Sequence, residues 1–323
     1  MGDSADRQLL LGLETLLRRT GLAFEQVRHD QLDGIALQSD DIAYIHGGGG
    51  WIPQWSGTPA RTLATLASRH RGRIVIGPSS FSTDREYLRT ALLDSLHVAA
   101  GRVTVFCRER PSFEVLVPAV GQLAEVVLDH DTALNLTRDE VLAFGEPVGP
   151  NRGYRLYALR NDAETRPPGA CRVLRAPVDP IGYSYSFKHW VRLHARAGSI
   201  VTNRLHSAIC GAILGVPTTL LPNSYHKARR LGTVPGRARR AVGRPPAAGL
   251  AGRGGRTARH RRLLAAYAKA AASGRALAFW VQPLNGLAGP LRRIAGPAMH
   301  RTSRGAPGGR SLPRLVAAAA RLI

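Results

Sequence analysis

Apolar positions in the first half of the chain follow two alternating periods. Leucines 9, 10, 13, 16 and 17 recur at helical spacing and predict an amphipathic helix over residues 5–19. Short apolar runs that predict strands follow at 22–27, 41–46, 73–77, 102–107 and 125–130, and helical patterns lie between them at 59–70, 84–97 and 111–119. Strands that alternate with helices at this spacing predict a parallel sheet with helices on both faces.

A second α/β unit is predicted from residue 154 onward. It begins with a strand at 154–160 and continues through a helix near 186–196 to a short strand at 199–202. Asn203 offers a cap for the next helix, and a buried-type strand follows at 218–222. We therefore expect an α/β fold with two Rossmann-like domains, 1–150 and 151–230, which face each other across a cleft in a GT-B-like arrangement.

The formal net charge of +23 does not describe the whole chain. Residues 228–323 hold 20 of the 45 basic residues and none of the 22 acidic ones, so the first 227 residues carry 25 basic against 22 acidic side chains. The body of the protein is thus close to neutral. The charge belongs to a third segment, 231–323, which is rich in Arg, Ala, Gly and Pro.

Two interpretations of this basic tail remain open. The tail is a disordered arm that binds nucleic acid or anionic lipid, or it is an out-of-frame translation of GC-rich DNA that begins near Lys227. The arm has no interleaved aromatic residues and no RNA-binding signature, so we do not expect nucleic acid as a partner. A 96-residue stretch without any acidic residue favours the frameshift.

Cysteine usage and the N-terminus point to a cytoplasmic protein. The three cysteines are widely spaced and odd in number, which argues against a disulfide framework and for a reducing compartment. The first residues form no signal peptide, no apolar run is long enough to cross a membrane, and no Cys or His cluster indicates a metal site. We therefore expect no metal and a cytoplasmic location, which includes the inner face of the plasma membrane.

Polar side chains concentrate where the predicted strands end. Arg204 and His206 lie in the first turn of a helix, where anions bind well, and Arg160 ends the strand before them. In an open α/β sheet the carboxyl ends of the strands form the ligand crevice. The further candidates for this crevice are Asn223, Lys227, Asp131, and the glycine-rich loop made by Gly47, Gly48, Gly49 and Gly50. Asp131 is equally well explained as a helix cap, and the glycine run as a tight crossing.

The stretch TNRLHSAICGAILGVPTTLLPNSYHK resembles the C-terminal signature of the polysaccharide pyruvyl transferases. That signature reads roughly T-D/N-R-L-H, a helix of small residues, L-G-x-P and N-S-Y-x-K. Looser matches are the glycine run at 46–51, an R-E-x-x-S pattern at 108–112, a D-x-A pattern at 131–133 and an R-x-D-x-E pattern at 160–164.

The resemblance implies a transferase that uses phosphoenolpyruvate and acts on a glycan or a lipid-linked oligosaccharide. Such an enzyme forms a pyruvate ketal across two sugar hydroxyls, releases phosphate and needs no cofactor. His206 then serves as the general acid and base, and Arg204 and Arg160 hold the donor's carboxylate and phosphate with help from Lys227. The resemblance also places this activity in the biosynthesis of exopolysaccharide or another cell-surface glycan.

Other functions remain open from the sequence alone. A GT-B glycosyltransferase that uses a nucleotide sugar has the same predicted fold, although such enzymes often bind the ribose through an acidic residue and none follows Asp179. A basic nucleic-acid-binding protein and an inactive gene copy are the further alternatives.

Overall fold

Two mainly parallel β-sheets, with helices packed against them, make up the part of the chain that the computed structural model describes. That part comprises residues 4–20, 24–53, 58–145, 153–160, 180, 184–221, 277–280, 293–294 and 315–319. A mixed α/β structure with parallel strands is consistent with a Rossmann-like fold, so the predicted fold class is confirmed at this level.

The larger sheet is built from the first half of the chain. Its strands there are β1 (Phe24–Arg28), β2 (Ile42–Ile45), β3 (Gly48–Trp51), β4 (Arg73–Phe81), β5 (Val103–Cys107) and β6 (Glu125–Leu128). Strands β2, β4, β5 and β6 lie side by side in that order and run parallel, while β3 pairs with the end of β4. Because they run parallel, all four strands end at one edge of the sheet.

The helices follow the predicted pattern with three additions, one of which is the 3₁₀ helix His29–Gly34. They are α1 (Ser4–Thr20), α2 (Thr58–Arg69), α3 (Arg85–Leu88), α4 (Asp94–Ala99), α5 (Arg110–Val120), α6 (Arg138–Gly145), α7 (Phe187–Ala195) and α8 (Leu205–Leu214). A π-helical turn joins α3 to α4, so the single helix predicted at 84–97 is continuous but irregular. Helix α6 and the 3₁₀ turn Thr132–Asn135 were not predicted, since each is too short to show a clear period.

The smaller sheet contains three parallel strands among the described residues. They are β7 (Arg155–Ala158), β8 (Ser199–Thr202) and β9 (Thr218–Leu220), in that order. Helix α8 connects β8 to β9 and ends at Gly215, whose φ of 74° is the left-handed conformation that favours glycine. The strand–helix–strand unit predicted for residues 199–222 is thereby confirmed.

Three short backbone segments of the C-terminal tail also pair with the larger sheet. These are β10 (Leu277–Trp280), β11 (Arg293–Ile294) and β12 (Leu315–Ala319). Segments β10 and β12 each pair in parallel with both β1 and β2, and β11 pairs antiparallel with β1. The rest of the tail lies outside the described residues, and the frameshift hypothesis stays a prediction.

Three hydrophobic clusters hold the described sheets and helices together, and the smallest of them belongs to the smaller sheet. The main core lies around β2, β4 and β5, where Trp51 and Phe81 stack with ring centroids 5.4 Å apart. A second cluster brings Leu11 of α1 against Trp190 of α7 and against Cys210 and Leu214 of α8. Helix α8, which follows a strand of the smaller sheet, is therefore packed directly on the first helix of the chain.

Candidate active site

The polar residues of the larger sheet gather at the carboxyl ends of its strands, as predicted. Arg108 and Glu109 directly follow β5, Ser80 lies near the end of β4, and Asp131 follows β6 after two residues. All four side chains are buried. A buried ionic cluster must satisfy its own charges and hydrogen bonds, because water cannot do so.

The Arg108 guanidinium lies at the centre of this cluster. Its Nη1 donates to Asp131 Oδ2 at 2.8 Å, and its Nε donates to Ser80 Oγ at 2.8 Å. Glu109 Oε2 is 3.7 Å from the same Nε. One buried cation is thus compensated by two buried carboxylates, and its plane is fixed by contacts on two sides.

Glu109 is held in turn by two serines. The Ser80 hydroxyl donates to Glu109 Oε2 at 2.9 Å, and the Ser112 hydroxyl donates to Glu109 Oε1. Ser112 Oγ also accepts the backbone N–H of Phe81 at 2.8 Å, which ties α5 to the end of β4. The R-E-x-x-S pattern is therefore one hydrogen-bonded unit that orients Arg108. Sequence reasoning noted the pattern but did not count Arg108 among the site residues.

Asp131 connects this unit to the second half of the chain. Its Oδ1 accepts the backbone N–H of Ala133 at 3.0 Å, which confirms its predicted role as a cap. Its Oδ2 faces both Arg108 and His206, and the latter's Nε2 is 3.5 Å away. Burial alone would raise the pKa of Asp131, but His206, Arg108 and the Ala133 N–H together hold it well below its usual range.

His206 reaches this carboxylate from the first turn of α8. The side chain is 11% exposed, so it is largely shielded from solvent. A carboxylate opposite one ring nitrogen orients the imidazole. Asp131 and His206 come from elements that follow different sheets, and their contact links the two predicted halves.

His46 is a second histidine near the same carboxylate. It follows β2, its side chain is buried, and its Nδ1 lies 2.8 Å from the carbonyl oxygen of Gly47. Burial and, to a smaller extent, the charge of His206 lower the pKa of His46, whereas the Gly47 carbonyl and Asp131 raise it. The net result is a pKa of about 4. His46 is therefore neutral near pH 7, and sequence reasoning did not single it out.

Arg160 and Arg204 lie at the ends of β7 and β8. The backbone N–H of Arg160 donates to Asn203 Oδ1 at 2.7 Å, and the backbone N–H of Arg204 donates to Thr202 Oγ1 at 2.9 Å. The prediction that Asn203 caps the helix is wrong, because its side chain bridges the two strand ends and Arg204 occupies the cap position. Both arginines are more than 90% buried and stand at adjacent strand ends.

The glycine run is a strand and not an open loop. Gly48–Trp51 pairs with the end of β4, and all four glycines are buried. A Cβ on Gly47 would lie 2.4 Å from the carbonyl oxygen of Pro78, and Gly48 has a φ of 141°. Close backbone packing is thus one reason for glycine here, and a role of Gly47–Gly50 in substrate binding stays a prediction.

Asn223 and Lys227 lie outside the described residues, so their place in the site is still a prediction. Within the described ranges, no group of three or more His, Cys, Asp or Glu side chains is arranged to hold a metal ion. The same ranges contain no helix with the length and hydropathy needed to cross a membrane.

Comparison with known proteins identifies the family. A sequence model described as "Polysaccharide pyruvyl transferase" matches residues 1–225, about 70% of the chain. The chain belongs to the polysaccharide pyruvyl transferase family. The matched range contains every described member of the polar cluster, from His46 to His206.

The fold is similar to that of a crystal structure from Klebsiella pneumoniae subsp. pneumoniae whose protein is described as a functional uncharacterized protein. The two share 20% sequence identity with a TM-score of 0.52, over 71% of this chain and 83% of the other. At this identity the likeness supports the fold alone. No curated protein matches the chain.

Proposed function

We propose that this protein transfers the enolpyruvyl group of phosphoenolpyruvate to a sugar residue of a cell-surface glycan and forms a pyruvate ketal. The observation that carries the proposal is the contact between His206 and Asp131, set beside buried arginines within the matched range of the family. The donor has a carboxylate and a phosphate, and both need cationic partners. The acceptor has hydroxyl groups that must lose protons.

The arginines fit the two anionic groups of this donor. Arg160 and Arg204 end adjacent parallel strands, and a planar guanidinium can make two parallel hydrogen bonds to a carboxylate or a phosphate. Hydrogen bonds of this kind are strengthened in a site from which water is excluded. Arg108 is already paired with Asp131, so its role is to hold Asp131 and, through it, His206.

The proton transfers fit His206. The oxygen of one acceptor hydroxyl bonds to C2 of phosphoenolpyruvate, and the methylene carbon takes a proton from the His206 imidazolium and becomes a methyl group. The bond between C2 and the phosphate oxygen then breaks, phosphate leaves with the bonding electrons, and a second hydroxyl forms the remaining C–O bond. Of the two hydroxyl protons, one restores His206 and the other leaves with phosphate.

Asp131 supports the first of these steps. Its Oδ2 lies 3.5 Å from His206 Nε2 and so orients the ring that donates the proton. The proposed reaction involves no net oxidation, so it needs no redox cofactor. We place it at the cytoplasmic side of the membrane, where lipid-linked acceptors are assembled, within a GT-B-like cleft between the two halves.

The test is to incubate the protein with phosphoenolpyruvate and a lipid-linked or short glycan acceptor and to follow the products by ³¹P and ¹H NMR. We expect inorganic phosphate and a new ketal methyl signal in equal amounts. His206→Ala should reduce the rate by at least about 100-fold, which is the usual contribution of a general acid. The exposed histidine variant His97→Ala is the matched control and should keep the wild-type rate.

A second measurement separates this proposal from the glycosyltransferase alternative. Phosphoenolpyruvate should raise the melting temperature, whereas nucleotide sugars should not. Stabilisation by a nucleotide sugar, together with glycosyl transfer and no ketal, would show that the protein uses the other donor.

A further inference from the structure

A cavity with charged residues in its lining lies at the edge of the larger sheet that faces away from the candidate active site. It encloses about 330 Å³ where β2, β4 and β5 begin, and its walls include Asp40, Ile42, Arg71, Arg73, Gly101 and Arg102. Strand β4 connects the two places, because Arg73 begins it and Ser80 of the active-site cluster lies seven residues later. Seven residues of strand span roughly 23 Å, so this cavity is separate from His206.

Arg102 forms the fixed part of the cavity wall. Its guanidinium donates to the carbonyl oxygens of Ala67 and Val98 at 3.1 and 3.3 Å, and also to that of His70. These carbonyls lie at the C-terminal ends of α2 and α4, where a cation is stabilised by the helix dipoles. Arg102 is therefore a structural cation whose position is set by two helices.

Arg71 adds a second positive charge beside it. Burial lowers the pKa of Arg102, and the nearby charge of Arg71 lowers it further, which means that the two guanidinium groups repel each other. Arg71 is exposed and forms no ion pair with any residue in the described ranges, and Arg73 is exposed next to it. A bound anion would relieve this repulsion and would find guanidinium donors already in place.

The part of the lining that precedes β2 carries two carboxylates. Asp41 is buried, and its Oδ2 accepts the backbone N–H of Gln38 at 2.8 Å, so it is part of the loop structure. Asp40 is half-buried at the cavity. A carboxylate in this position disfavours a simple inorganic anion but accepts hydrogen bonds from hydroxyl groups. Because arginines and a carboxylate line the same cavity, it is suited to a ligand that carries both an anionic group and hydroxyl groups.

We propose that this cavity binds a carboxylate-bearing sugar residue of the glycan acceptor, with Arg71 and Arg73 on its carboxylate and Asp40 on its hydroxyls. The volume lies at the lower end of the range for small-molecule pockets, which fits one monosaccharide unit. The choice of a glycan residue rests on the proposed function. The site would hold a distal part of the acceptor chain while another residue reacts at His206.

The test uses glucuronic acid as the probe, with glucose and acetate as its neutral and hydroxyl-free counterparts. Saturation-transfer NMR and titration calorimetry on the full chain should show glucuronic acid binding at least about tenfold more tightly than either. Arg71→Gln should weaken this binding about tenfold, which corresponds to the loss of one charge-assisted contact. Asp40→Asn should weaken the binding of glucuronic acid but not that of acetate. The matched control is Arg85→Gln, an exposed arginine on α3, which should bind like the wild type.

Three outcomes would overturn the proposal: undiminished glucuronic acid binding by an Arg71→Gln, Arg73→Gln double variant, equal affinity for acetate and glucuronic acid, or no binding at all. The experiment is independent of catalysis, since His206→Ala should bind glucuronic acid as the wild type does. Loss of ketal formation with intact glucuronic acid binding would count against the proposed function and leave the second site standing.

Discussion

Replacing Asp131 by Asn tests the central contact of the candidate site. The substitution keeps the shape of the side chain and removes its charge. Arg108, which is fully buried, then loses its partner at 2.8 Å, while Glu109 at 3.7 Å remains as a counter-charge. Breaking a buried ion pair by removing one partner costs about 3–5 kcal/mol. Because Glu109 still compensates part of the charge, we expect a loss of about 3 kcal/mol in the free energy of unfolding.

Urea denaturation at pH 7 measures this loss as a lower midpoint with an unchanged slope. The matched control is Glu114→Gln, which removes an exposed ion pair with Arg110 at 3.9 Å. Exposed pairs of this kind contribute little, so the control should change stability by less than about 1 kcal/mol. The Asn variant should also lose ketal formation, because His206 no longer faces a carboxylate.

The pH dependence of the difference gives a stricter test. The pKa of Asp131 is depressed in the folded state. Its contribution to the free energy of unfolding is therefore fully present above the pKa of the unfolded state, about 3.9, and is lost as the pH falls towards the pKa of the folded state. The stability gap between wild type and the Asn variant should therefore be constant from pH 7 to about pH 5 and should shrink below pH 4. Two results would refute the assignment of Asp131 as an ionised partner. One is a difference in the free energy of unfolding under about 1 kcal/mol at pH 7, and the other is a difference at pH 3 equal to that at pH 7.

Two further predictions concern residues near the same edge of the sheet. Gly47→Ala should destabilise the protein by about 1–3 kcal/mol, because its Cβ would meet the Pro78 carbonyl oxygen, whereas Gly34→Ala has open space and should be close to neutral in the same denaturation assay. His46 should stay neutral in ¹H–¹⁵N NMR spectra down to about pH 5, since its pKa is about 4. Its burial should also cost up to about 3 kcal/mol of stability as the pH falls from 6.5 to 4, because only the unfolded chain takes up the proton in this range. Titration of His46 near pH 6.5 would contradict this reasoning.

The order of strands and helices in the first 220 residues could be predicted well from the sequence. Apolar periodicity located α1 and the strands from β1 to β9 with the exception of β3, because each of those strands is a short apolar run with clear boundaries. The glycine run was taken for a loop because its residues have no side chains that could show a period. Its strand pairing depends on the backbone of β4, which sequence alone does not show.

The candidate site was predicted in part. His206, Arg204 and Arg160 stand at strand and helix ends. In open α/β sheets ligands bind at the carboxyl ends of the strands, so the positions of these residues in the sequence were enough to suggest them. Arg108 and Glu109 could have been suspected, since they form a charged pair directly after a mainly apolar strand, at the sheet edge where polar side chains converge. His46 gave no signal, because its importance arises from Asp131 and His206, which are distant in sequence.

The contact between Asp131 and His206 depends on packing that neither sheet provides by itself. Asp131 follows β6 of the larger sheet, and His206 opens the helix after β8 of the smaller one. What brings them within 3.5 Å is the cluster in which Leu11 of α1 meets Cys210 and Leu214 of α8. Burial of these apolar side chains supplies the free energy that holds a largely shielded imidazole against a buried carboxylate. The chemistry proposed for His206 therefore requires both halves of the chain to be folded and packed together, and we expect neither half alone to be active.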